Sequence, residues 1–236
     1  MTIESVHQRV AGLLIVAGSL VFLYGGASQP LINSSIGPLG SQEFFNNFYM
    51  HIAHHTSWEF IHGLILAGPV LWLLGVASYW RNTSRWSATA ITAMTLAAAL
   101  WAVTFVFDGF VAPSIVRMFT LETGHNILAA NQNAVIRLGL ISWLMLALAM
   151  ISGSLGKLAS APSRSAKVIS WIGIVIGLWP FLAWATGDFL PGPFTSRYWT
   201  ATAIVTAAWF IAVGIVVIFS REGNGLVTST GPAASR

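Results

Sequence analysis

"SWEFIHGLILAGPVLWLLGVASYW", residues 57–80, contains no charged side chain between Glu59 and Arg81. An α-helix rises 1.5 Å per residue, so about 20 apolar residues cross a hydrocarbon layer of about 30 Å, and this block has that length. Similar blocks recur at 10–26, 87–107, 135–155, 167–187 and 198–219. The fold class is therefore all-α, a polytopic membrane bundle of six transmembrane helices. Helices are required because each backbone polar group in hydrocarbon needs an internal partner, and the alternation of a lipid-facing barrel strand is absent. Composition agrees: 56% of the 236 residues are hydrophobic and 8% charged, against about 25% charged in a soluble domain.

The Lys and Arg residues set the orientation. With the N-terminus inside, Arg9, Arg81, Arg85, Lys157, Arg164, Lys167, Arg221 and Arg236 fall on the cytoplasmic side, and Arg117, Arg137 and Arg197 on the other. The excess places both termini in the cytoplasm and the chain as a multi-pass protein of the cell membrane, a bacterial inner membrane. The first block is short, and Gly25-Gly26-Ala27 could pass as a signal-peptide cleavage site. Glu4 and the lone Arg9 favour a retained helix instead. The stretch 154–167, "SLGKLASAPSRSAK", reads as a linker between two groups of three helices within one domain, residues 1–222. Residues 223–236 read as a disordered tail. "FDGFVAP" (107–113) and "GDFLPGP" (187–193) echo one another across the halves, either as a short repeat or because Asp, Gly and Pro all end helices.

Several function classes are excluded by what is missing. There is no cysteine, hence no disulfide or thiolate site. The basic residues are dispersed, so nucleic acid is not an expected partner. The chain has no phosphate-binding glycine loop, nucleophile elbow, gating arginine row or selectivity filter. The cytoplasmic half of the membrane carries almost no ionisable residue, which argues against a charge-coupled transporter. The bilayer itself is the expected partner, with oligomers left open.

The ionisable residues gather at the outer end. His51, His54, His55, His62 and His125 lie there, with Glu43, Glu59, Asp108, Glu122 and Asp188. If helix two begins by residue 51, a turn of about 100° per residue puts His51, His55 and His62 within about 40° of one another, with Glu59 at about 80°. His51, His55, Glu59 and His62 then form a candidate metal set, because Glu-x-x-His is the spacing of carboxylate-bridged bundles. Imidazole and carboxylate together suit zinc, iron or copper. The plainer alternative is that His51 to His55 sit at headgroup level, where polar groups cost little. Glu59 and His62 are expected one to two turns inside, where an unpaired ionisable group costs about 2 kcal/mol or more.

Asp108 and Asp188 are each expected at a helix C-terminus, where the dipole disfavours an acid by about 0.3–1 kcal/mol. A bound cation, a histidine of the cluster, or Arg137 and Arg197 would offset that. Glu59, Asp108 and Asp188 are thus candidate acid/base groups. His125, Asn131, Gln132 and Arg137 lie in or beside "TLETGHNILAANQNAVIRLG" (120–139). His125 reads as a ligand from across the cleft, and the amides and Arg137 as substrate-binding groups. Alternatively Asn131 and Gln132 simply cap helix four. Trp58, Trp80, Trp86, Trp184 and Trp199 read as interfacial anchors, and Gly173-x-x-x-Gly177 as a close-approach motif.

"SWEFIHGLILAGPVLWLLG" (57–75), "FDGFVAP" (107–113) and "NQNAVIRLGL" (131–140) together resemble a broad group of bacterial six-helix membrane proteins of unknown function. That resemblance implies the fold and no chemistry. A fainter likeness is to the haem-containing membrane isomerases of the styrene oxide isomerase type, whose second helix opens with a histidine ligand followed by Asn-Gly. Here His55 and His62-Gly63 are one residue further apart, a His replaces the Asn, and six helices replace four. The likeness implies that haem b is feasible, with His62, His55 and His125 as the residues toward it.

Two main readings follow, beside a third in which the cavity serves a carrier for a small uncharged molecule. In the first, an outer-leaflet cavity binds a transition metal or haem b, and a small lipophilic substrate enters from the membrane. In the second, a non-enzymatic subunit, scaffold or lipid-binding protein uses the same His, Glu, Asp and Arg residues as a structural hydrogen-bond network.

Overall fold

The computed structural model describes residues 3–28, 41–80, 85–160, 164–187 and 192–219. Among these every element is helical: α1 (Ile3–Ser28), α2 (Gln42–His54), α3 (Trp58–Tyr79), α4 (Trp86–Val106), a π-helical turn (Phe107–Val111), α5 (Ala112–Met118), α6 (Leu121–Ser160), α7 (Arg164–Gly187) and α8 (Gly192–Phe219). Five stretches are long and apolar enough to cross a membrane: Ser5–Ser28, Trp58–Tyr79, Trp86–Met118, Leu121–Ser160 and Thr200–Phe219.

The six long helices pack as a closed ring in chain order. α1 lies on α3, α3 on α4, α4 on α6, α6 on α7, α7 on α8, and α8 returns to α1. α1 is held by glycines that let backbones touch: a Cβ on Gly12 would meet the Gly214 carbonyl at 2.7 Å, and one on Gly18 the Gly68 carbonyl at 2.8 Å. Gly177 approaches the Ala147 carbonyl of α6 in the same way, at 3.0 Å. Aromatic rings fill the middle. Trp72 stacks on Phe210 at 4.5 Å between centroids, and Phe22 and Trp101 close around it. The Trp72 indole N–H donates to Ser19 Oγ (2.9 Å), which itself donates to the Ile15 carbonyl, so the polar edge of a buried Trp is satisfied within the core.

A second, smaller core closes one end. α2 turns Phe44, Phe45, Phe48, Tyr49 and Ile52 against Trp58, Ala112, Ile115 and Leu128. Its start is fixed by Ser41, whose side chain accepts from the Phe44 N–H at 3.0 Å, a standard N-cap. The Tyr49 hydroxyl points its one hydrogen at the Val116 and Phe119 carbonyls, tying α2 to the end of α5.

Two expectations change. Helix two does not begin by residue 51: the chain breaks at His55, Thr56 and Ser57, so the histidines are divided between α2 and α3. Helix three does not end at Asp108. It passes through the π turn into α5, because an extra residue in the turn accommodates Pro113, which has no N–H to give the preceding turn. The dipole argument for Asp108 therefore lapses. Of the stretch 154–167, residues 154–160 close α6, 164–167 open α7, and 161–163 lie outside the described residues. Asp188, the second arm of the 187–193 echo from residue 188 to 191, and the 223–236 tail lie outside the described residues.

Candidate functional site

The π turn faces α3 one turn below its N-terminus, and His62 meets it there. His62 is fully buried, with Nε2 3.1 Å from Asp108 Oδ2. Its Nδ1 lies 2.8 Å from the Trp58 carbonyl, which can only accept, so Nδ1 carries a hydrogen. Nε2 then faces a carboxylate, and one proton must lie between them, on the ring or on the acid. Gln132 of α6 donates to the other oxygen, Asp108 Oδ1, at 3.1 Å. The Trp58 indole N–H donates to the Asp108 backbone carbonyl at 2.7 Å, and Asn131 Nδ2 to the Phe107 carbonyl at 3.1 Å. These last two bonds serve the backbone of the π turn, where the regular helical ladder is broken.

Gly109 lets the pair form. A Cβ there would stand 2.5 Å from the His62 Cβ, so only glycine permits this approach. Trp58 covers one face of the imidazole, with ring centroids 4.6 Å apart. Phe48 of α2 meets Trp58 in a T-shaped contact, centroids 5.7 Å apart.

The other expected site residues are elsewhere. Glu59 is half-exposed and takes Arg117 at 2.5 Å, where the sequence placed it inside with His62. Facing outward on its helix, it pairs with the cation that ends α5. His51 and His55 lie together, centroids 4.7 Å apart, at the end of α2. His51 also touches the edge of Trp58 at 5.9 Å. His54 turns back to the Met50 carbonyl. His125 packs edge-on against Phe45 at 5.3 Å and borders an open groove of about 550 Å³ with Gln42, Asn46, Leu121, Glu122 and Asn126. It is seven residues before Gln132 on α6, hence about 10 Å further out than the His62–Asp108 pair. Asn131 and Gln132 cap nothing, since α6 begins at Leu121. Arg137 is exposed, and the Asp108 carboxylate is engaged by His62 and Gln132 instead.

Among the described residues no three His, Asp or Glu side chains converge in a way that could hold a metal ion. The pair does not fit a haem ligand either. Both His62 ring nitrogens are engaged, its face is covered by Trp58, and Gly109 presses on its Cβ, so ligation would require displacing Asp108 and opening the packing.

Trp58 and Trp80, taken from sequence as interfacial anchors, are buried, and Trp58 belongs to the network. Its position four residues before His62 was the available signal, since that spacing places both on one face of α3. Comparisons of the chain with protein-family models, curated proteins and solved structures find no match.

Proposed function

We propose that this is an integral membrane protein of six spans, α7 being the sixth, with both termini cytoplasmic and the α2 end facing outward from the cell membrane. The excess of Lys and Arg on the other side supports this orientation. Its role is non-enzymatic, that of a membrane subunit or scaffold, and the His62–Asp108–Gln132 network is the lock that holds the outer ends of α3, α4 and α6 in register.

The observation that carries this reading is the saturation of His62: a wholly buried imidazole with each nitrogen committed to a protein acceptor or acid. A metal ligand would need Nε2 free of Asp108, and a catalytic base would need its reacting group within hydrogen-bond reach of that nitrogen, where Asp108 stands. A lock needs neither, because a fully paired buried polar group fixes one arrangement of its neighbours.

Thermal unfolding and absorption spectra of the purified protein and of His62→Ala test the proposal. The expected result is a lower Tm with no Soret band and no stoichiometric metal in either protein. A Soret band or bound metal that disappears in His62→Ala would overturn it.

A further inference from the structure

The outward strip of α6 changes character at one point. Opposite the buried face it presents Asn126, Ala130, Asn133 and Arg137, all exposed, and then only apolar residues, Ile141 (44% exposed) and Leu148 (37%) among them. From Arg137 to Lys157, the cation at the far end of the same helix, is about 30 Å at 1.5 Å per residue, the thickness of a hydrocarbon core. Lys157 lies over the Tyr79 ring at 3.8 Å, at the end of α3, which fixes the other rim. Arg137 therefore stands at the boundary on the α2 side.

Among the described residues no carboxylate neutralises it there. Asp108, the acid nearest in level, is turned inward to His62 and Gln132. Glu59 is taken by Arg117. Arg137 has no hydrogen bond or ion pair among the described residues. Asn133 lies one turn outward on the same face of α6, so the amide and the guanidinium sit side by side, opening away from the bundle. On the neighbouring wall the outward residue near this level is also apolar, Val106 (44% exposed), since Asn131 bonds to Phe107 and Gly139 faces Thr104. The guanidinium is thus flanked by surface suited to acyl chains. A planar fork of donors at that depth matches the two unesterified oxygens of a phosphodiester.

We infer that Arg137 and Asn133 form a docking site for the phosphate of an anionic phospholipid in the leaflet on the α2 side. Arg137 takes the phosphate, Asn133 a further phosphate or glycerol oxygen, and the chains run down past Ile141 and Leu148.

The test uses the full chain in nanodiscs of phosphatidylcholine alone and of phosphatidylcholine mixed with phosphatidylglycerol, read by thermal unfolding. The anionic lipid is expected to raise the wild-type Tm by about 2–4 °C. Arg137→Gln should lose most of that rise and Asn133→Ala part of it. Arg117→Gln, which removes the same charge elsewhere, should keep it. Inorganic phosphate added in detergent should have no effect. The inference is overturned if Arg137→Gln keeps the full rise, if the wild type shows none, or if inorganic phosphate reproduces it. A change from dimer to monomer on Arg137→Gln would overturn it too, since a second copy would then be the partner.

Discussion

Asp108 bonds through both oxygens to two different helices, sharing a proton with His62 of α3 at 3.1 Å and accepting from Gln132 of α6 at 3.1 Å, while its own backbone belongs to a π turn. The acid is a junction, and its removal should be felt in three helices at once.

Asp108→Ala should lower stability by about 1–3 kcal/mol, because it strands the Gln132 amide and His62 Nε2. Asp108→Asn should cost less than half as much. Its amide can donate to a neutral His62 Nε2 while its oxygen still accepts from Gln132. Equal losses in thermal unfolding of the two variants would show that the proton between ring and acid, rather than the bonding pattern, holds the junction.

Gly109→Ala puts a methyl 2.5 Å from the His62 Cβ, in backbone that cannot yield without moving α3. A loss of about 1–3 kcal/mol is expected from overpacking, whereas Gly63→Ala, where a Cβ would meet nothing within 4 Å, should be close to neutral. Urea or thermal denaturation of the pair of variants checks the contrast.

Trp58→Phe keeps a ring over His62 but loses the N–H that donates to the Asp108 carbonyl at 2.7 Å. The expected cost is about 1 kcal/mol. Trp58→Ala should cost about 3–5 kcal/mol, because it also opens a cavity under α2.

Glu59→Gln and Arg117→Gln should each change stability by less than about 1 kcal/mol. The two side chains are 41% and 63% exposed and their ion pair lies at the surface. A large loss on Glu59→Gln would restore the acid to the buried site that the sequence pattern favoured.

The long helices were legible because their apolar blocks match the length a bilayer imposes. α2 was not read, although Ser41 as a cap and Phe44, Phe45, Phe48, Tyr49 and Ile52 at helical spacing were visible signals. Once the histidines had been assigned to one continuous helix, nothing in composition could reveal the break at His55–Ser57. Asp108 was read as a helix end because Gly109 and Pro113 usually make one. In this chain they make a π turn, and that turn is what delivers the carboxylate to His62. The pairing of His62 with Asp108 rather than Glu59 depends on which way α4 faces α3, a tertiary relationship with no local signature.

The aromatic filling of the ring has an electrical consequence. Trp72, fully buried between Phe22, Trp101 and Phe210, leaves a close-packed apolar stretch where a channel would need water, and an ion there would lose its hydration with little in exchange. At that level the described helices oppose the passage of an ion rather than offer it a path.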